Sequence, residues 1–109
     1  MALPSELSRH LGNPVQAPLQ GQGTPGYGEN AACGDELWFE LGPDGALGYR
    51  VIGCAALVAS ASCFVAAVRA SSAPRTVEPA QVLAAAGGLP ARSAHVLRVI
   101  ERAWRGALG

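Results

Sequence analysis

"DELWFELGPDGALGYRVIG", residues 35 to 53, holds two apolar runs on either side of a turn signal. Leu37, Trp38, Phe39 and Leu41 supply the first run, in which apolar and polar residues alternate poorly; Tyr49, Val51 and Ile52 supply the second. Aromatic and β-branched side chains favour strands, and Gly42-Pro43-Asp44-Gly45 is turn chemistry, so the stretch predicts a β-hairpin. Downstream the pattern turns helical from Ala55 to about Ala70, breaks at Ser71 to Pro74, and resumes in a short helix opened by Pro79 and closed by Gly87. Pro90 opens a terminal helix. In it Ala94, Val96, Leu97, Ile100, Ala103 and Trp104 recur at spacings of three and four, while Arg92, Arg98, Glu101, Arg102 and Arg105 take most of the remaining arc, so this helix is expected to cover the sheet. Upstream, Ser5 to Leu11 is a short polar helix candidate. Residues 12 to 32, crowded with Gly, Pro, Asn and Gln, read as irregular, which makes 1–30 a loop-rich N-terminal arm that orders with a metal or a partner. Strands followed by helices argue one α+β domain over residues 1–109, a small antiparallel sheet with helices packed on one face.

Composition bounds the function. A chain of 109 residues, half of them apolar, supports a single core. Eight basic residues, all arginine, balance eight acidic ones without any basic block, which argues against nucleic acid or an anionic membrane as partner. The longest apolar run, Val51 to Val68, is rich in Ala and Ser and interrupted by Gly53, and is expected to be a buried helix rather than a membrane span. The first residues carry neither a basic segment nor a continuous apolar one, so no secretory signal is expected and a cytoplasmic location is the default. Cys33, Cys54 and Cys63 make an odd count, a poor disulfide framework; in a reducing compartment they serve as core residues, metal ligands or reactive thiols.

The hairpin brings two of these thiols together. Cys33 precedes its first strand and Cys54 follows its second, and the start of one antiparallel strand lies beside the end of the other. Asp35 falls on the same rim. At Cys54 the amides opening the next helix favour a negative charge such as a thiolate, the form that binds metal. Two soft sulfur ligands and one hard oxygen suit iron or zinc. Two buried structural cysteines, with Asp35 bonding local backbone amides, are the competing reading. Cys63, nine residues beyond Cys54, would sit on roughly the opposite face of a continuous helix and about 13 Å further along it. It is expected in the core beside Phe64. His10, in the arm, is expected to be solvated.

"ENAACGD" (residues 29–35), "VIGCAALVASAS" (51–62) and "LPARSAHVLRVIERA" (89–103) resemble, in order and spacing, the three signature blocks of the NifU/IscU family of iron-sulfur cluster scaffolds. Those blocks are a small residue with CGD, a G-C followed by A-S-A-S or A-S-S-S, and L-P-x-x-x-x-H-C. "RHLGNPVQ" (9–16) is similar to the family's opening H-F-x-N-P-x-N. The resemblance implies a SufE/NifU-like α+β scaffold, not a conventional enzyme, on which iron and sulfide are assembled and passed to client apo-proteins, with a cysteine desulfurase as sulfur donor and a second copy of the chain as a further candidate partner. Carried over by position, it implies a site of Cys33, Asp35, Cys54 and His95 for iron or an iron-sulfur cluster, with zinc as an alternative metal. The chain departs from the pattern where the third cysteine is expected, which is Val96, and at Ser93, where the family usually has a basic residue. Two other roles stand beside the scaffold: a cluster-free paralogue acting as a protein-interaction module, or a zinc-dependent sulfur-transfer protein, a role that also depends on the missing thiol and in which Ser71 to Gly88 is expected to be longer.

Overall fold

The computed structural model describes residues 3–109. Its elements are α1 (Ser5–Gly12), β1 (Thr24–Asn30), β2 (Asp35–Leu41), β3 (Leu47–Ile52), α2 (Ala55–Ala70), α3 (Pro79–Ala85) and α4 (His95–Leu108), with single 3-10 turns at Ala31–Cys33, Pro74–Thr76 and Ala91–Ser93. The strands form one antiparallel meander in the order β1-β2-β3. This is the α+β domain expected, and no helix of the described residues is long and apolar enough to cross a membrane.

The β2–β3 hairpin pairs Glu36 with Ile52 through Leu41 with Leu47. Its turn closes through Gly42 N–H to Ala46 O at 2.8 Å and Ala46 N–H to Asp44 Oδ1 at 3.1 Å, with Gly45 at φ +84°. Such a left-handed conformation is open to glycine at little cost. Along β2 the side chains alternate strictly: Asp35, Leu37, Phe39 and Leu41 are buried, while Glu36, Trp38 and Glu40 are half-exposed. The poor alternation read from the sequence has a simple cause. An aspartate occupies an inward position and a tryptophan an outward one, where Trp38 stacks on Tyr27 (centroids 5.3 Å apart) beneath the Arg50 guanidinium.

Strand β1 replaces part of what the composition marks as an irregular arm. It pairs with β2 along its whole length, Thr24 with Leu41 to Asn30 with Asp35. Gly26 and Gly28 face inward, and a Cβ on either would drive into the backbone of α4: on Gly26 into Ala103 O and to within 2.5 Å of Ala107 N, on Gly28 into Val99 O. The glycines let a helix lie directly on a strand. The segment before β1 is also tied down, since Tyr49 N–H bonds Ala17 O (2.7 Å) and Tyr49 Oη donates to Val15 O (2.8 Å). Residues 1 and 2 of the expected arm lie outside the described residues.

The helices gather on the inward face of the sheet. α4 buries Val96, Val99, Ile100, Ala103, Trp104 and Ala107, and its Trp104 meets Phe64 of α2 and Phe39 of β2 edge-on, at centroid distances of 5.0 and 6.2 Å. Trp104 Nε1 donates to Val77 O at 3.0 Å, so the indole is satisfied in the core. α4 starts later than Pro90 predicts, because a 3-10 turn over Ala91–Ser93 comes first and His95 becomes its first residue. That later start sets where the imidazole points.

Candidate metal centre

Each predicted ligand owes its place to a local feature of the chain. Cys33 ends the 3-10 turn after β1, and Gly34, at φ +69°, reverses the chain into β2. Asp35 is the first inward residue of β2 and is fully buried. Cys54 is the N-cap of α2, reached through Gly53 at φ +154°, and His95 opens α4.

Asp35 is the hub. Its Oδ1 accepts the Cys54 backbone N–H at 3.0 Å, and its Oδ2 lies 3.1 Å from His95 Nε2 and 3.8 Å from Cys54 Sγ. One donor atom each from Cys33, Asp35 and His95 falls within 4.8 Å of the others. Cys33 is exposed and held by Asn30 Nδ2 at 3.7 Å; Cys54 and His95 are half-buried. A Cβ on Gly53 would overlap Asp35 Oδ1, so the carboxylate fits against a bare backbone. The hairpin and the start of α4 thus bring all four predicted residues to one rim: Cys54 and His95 both touch the carboxylate, and Cys33 stands at its open side.

The donor set fits a divalent metal. In a tetrahedral site with zinc-like bond lengths, the oxygen-to-nitrogen edge is about 3.3 Å and the sulfur-to-oxygen edge about 3.5 Å. The edges at Asp35 Oδ2 are 3.1 and 3.8 Å. Cys33 already stands in one group with Asp35 and His95, and Cys54, whose Sγ meets Asp35 Oδ2 but lies outside that group, is the second sulfur that would have to close in to give two sulfurs, one nitrogen and one oxygen. Val96, where the resembled family has its third thiol, is fully buried in the core.

Neither a family model nor a curated protein matches this chain.

Two residues given no site role by the sequence take up positions of interest. Cys63 is buried on α2, as expected of a core residue, yet its thiol faces Glu6 Oε2 of α1 at 3.7 Å. His10 is not simply solvated: its Nδ1 lies 2.8 Å from Ser62 Oγ, the same oxygen that accepts Val15 N–H at 2.8 Å. Burial lowers the His10 pKa from its ordinary value, with nearby Arg9 adding to the shift and Glu6 opposing it. The i, i+4 spacing of Glu6 and His10 on α1 is the one sequence signal that relates them.

Proposed function

We propose that this chain is a scaffold-like iron-sulfur protein that holds iron or an iron-sulfur cluster as cargo through Cys33, Asp35, Cys54 and His95 and passes it to client apo-proteins in a reducing cytoplasm. One observation carries the reading: a fully buried carboxylate at the hairpin rim meets an imidazole nitrogen at 3.1 Å and a thiol at 3.8 Å, with a second thiol beside it. Among the described residues His95 is the ion-pair partner of this buried aspartate, and a metal cation at Oδ2 would offset the cost of burying the charge. The two sulfurs supply the soft ligands that iron-sulfur clusters use, and the oxygen is a hard, weaker partner from which cargo can leave. With valine in place of the third thiol, a desulfurase, a client or a second copy of the chain supplies the remaining sulfur ligand.

Anaerobic reconstitution with ferrous iron, sulfide and reductant tests this, read by visible absorption and metal analysis, with Cys33→Ala and Cys54→Ala alongside. A coloured, iron-containing species lost in both variants is expected. Colour that survives both substitutions, or a parent chain that takes up no iron, overturns the proposal. The burial of Val96 favours one alternative, a cluster-free interaction module; a colourless chain that still binds a cysteine desulfurase would select it.

A further inference from the structure

A second convergence of metal-ligating side chains lies away from the hairpin rim, between α1 and α2. Glu6 and His10 are one turn apart and share a face of α1. Across from them stand the adjacent residues Ser62 and Cys63 of α2. One donor atom each from Glu6, His10 and Cys63 lies within 4.8 Å of the others, running from a sulfur that is 3% exposed to a carboxylate in solvent. We propose that Glu6, His10 and Cys63 bind a zinc ion that clamps α1 onto α2, independently of any chemistry at Asp35.

The donor set is a thiolate, an imidazole and a carboxylate, each an ordinary zinc ligand. The Cys63 Sγ to Glu6 Oε2 distance of 3.7 Å is close to the sulfur-to-oxygen edge of about 3.5 Å in a tetrahedral zinc site. Ser62 supplies an outer support. When its oxygen accepts both Val15 N–H and His10 Nδ1–H, the imidazole is fixed in the tautomer whose Nε2 lone pair is free for a metal. The fourth position opens to solvent and takes water. On binding, the Cys63 S–H bond breaks, a sulfur-zinc bond forms and the proton goes to solvent; no oxidant or reductant is needed. Two anionic ligands then neutralise the dication, and Arg9 is a further charged group near the cluster. A clamp here has work to do, because α1 is eight residues long and Leu7 is its one fully buried side chain. A helix so short is not stable alone.

The test uses Cys33→Ser/Cys54→Ser protein, in which Cys63 is the only thiol, titrated with cobalt(II) under reducing conditions. A near-ultraviolet sulfur-to-cobalt band with tetrahedral visible bands, saturating at about one cobalt per chain and displaced by zinc, is expected. Adding Glu6→Gln or His10→Ala should weaken binding at least about tenfold; Glu6 is exposed and His10 half-buried, so folding of each variant is checked by circular dichroism and Glu6→Gln, the milder change, keeps the test independent of folding. Zinc should raise the thermal midpoint of the double variant and not that of its Glu6→Gln derivative. Absence of the sulfur-to-cobalt band in folded protein overturns the proposal, and so does a band that survives both added substitutions, which would mean cobalt held by one thiol alone.

Discussion

Asparagine and alanine at position 35 separate what the carboxylate does for the fold from what it does for a metal. In metal-free, reduced protein, Asp35→Ala removes the acceptor of the Cys54 N–H, which sits half-buried at the start of α2, and empties a fully buried position. The stranded N–H costs about 1–2 kcal/mol and the void about 1 more, or about 2–3 kcal/mol together. Asp35→Asn keeps Oδ1 in place for the N–H and turns Nδ2 toward His95 Nε2 and Cys54 Sγ, both of which can accept, so it should cost no more than about 1 kcal/mol. For a chain of this size the urea slope is about 1.3 kcal/mol per M, so the two variants should differ in midpoint by about 1 M or more, read by circular dichroism. Reconstituted with iron and sulfide, Asp35→Ala should hold its cluster longer than the parent, because the ligand removed is the hard, weakly binding one. Equal midpoints for the two variants would refute the hub role assigned to Oδ1. Faster cluster loss in Asp35→Ala would mean that the residue serves chiefly as a tie between β2 and α2.

The remaining expectations concern the packing around the rim and the α1–α2 contact. Gly28→Ala sets a methyl group against Val99 O, forcing α4 off β1; a loss of at least about 3 kcal/mol in urea unfolding is expected, whereas a neutral effect would mean that the helix does not lie on the strand as described. Burial, helped by the Glu6 carboxylate, pushes the Cys63 thiol from 9.0 up to about 11, so the native state favours the protonated form: this contributes about 2–3 kcal/mol below pH 9, lost as pH rises toward 11, and Cys63→Ala should flatten that alkaline decline. His10 has its pKa lowered, so the unfolded chain binds the extra proton first; stability should fall as pH drops below about 6.5, and His10→Gln should remove that component when unfolding is compared at pH 7.5 and 5.

How far the fold can be read from the sequence differs from element to element. The β2–β3 hairpin and the helices from Ala55 and Pro79 were legible because turn residues and proline act locally: Gly42 to Gly45 sets the turn, and Pro79 stands in the first turn of α3. β1 was not legible. Its inward residues are Gly26 and Gly28, chosen by the approach of α4 about seventy residues later, and a strand selected for having no side chain carries no apolar alternation to find. The usable signal was glycine at alternate positions, 26 and 28, with an aromatic residue between them.

The rim shows the same division. The sequence places Asp35 on the rim as a candidate ligand, with a residue bonding local backbone amides as the competing reading; counting inward from Leu41, Phe39 and Leu37 puts it on the core face, where an aspartate is costly without a partner. That register carries the strongest argument for a site that a single sequence can offer, since a buried acid at the end of a hydrophobic stripe needs something to meet it. Here it meets His95, Cys54 and the opening amide of α2, all delivered by strand and helix ends. Glu6, His10 and Cys63 had no comparable signal, because Cys63 fits its apolar helix and the other two fit a polar one. Only the packing of α1 on α2 makes them neighbours. A cysteine that satisfies its own helix while facing a carboxylate and an imidazole from another is under two demands, and the zinc clamp proposed above would meet both.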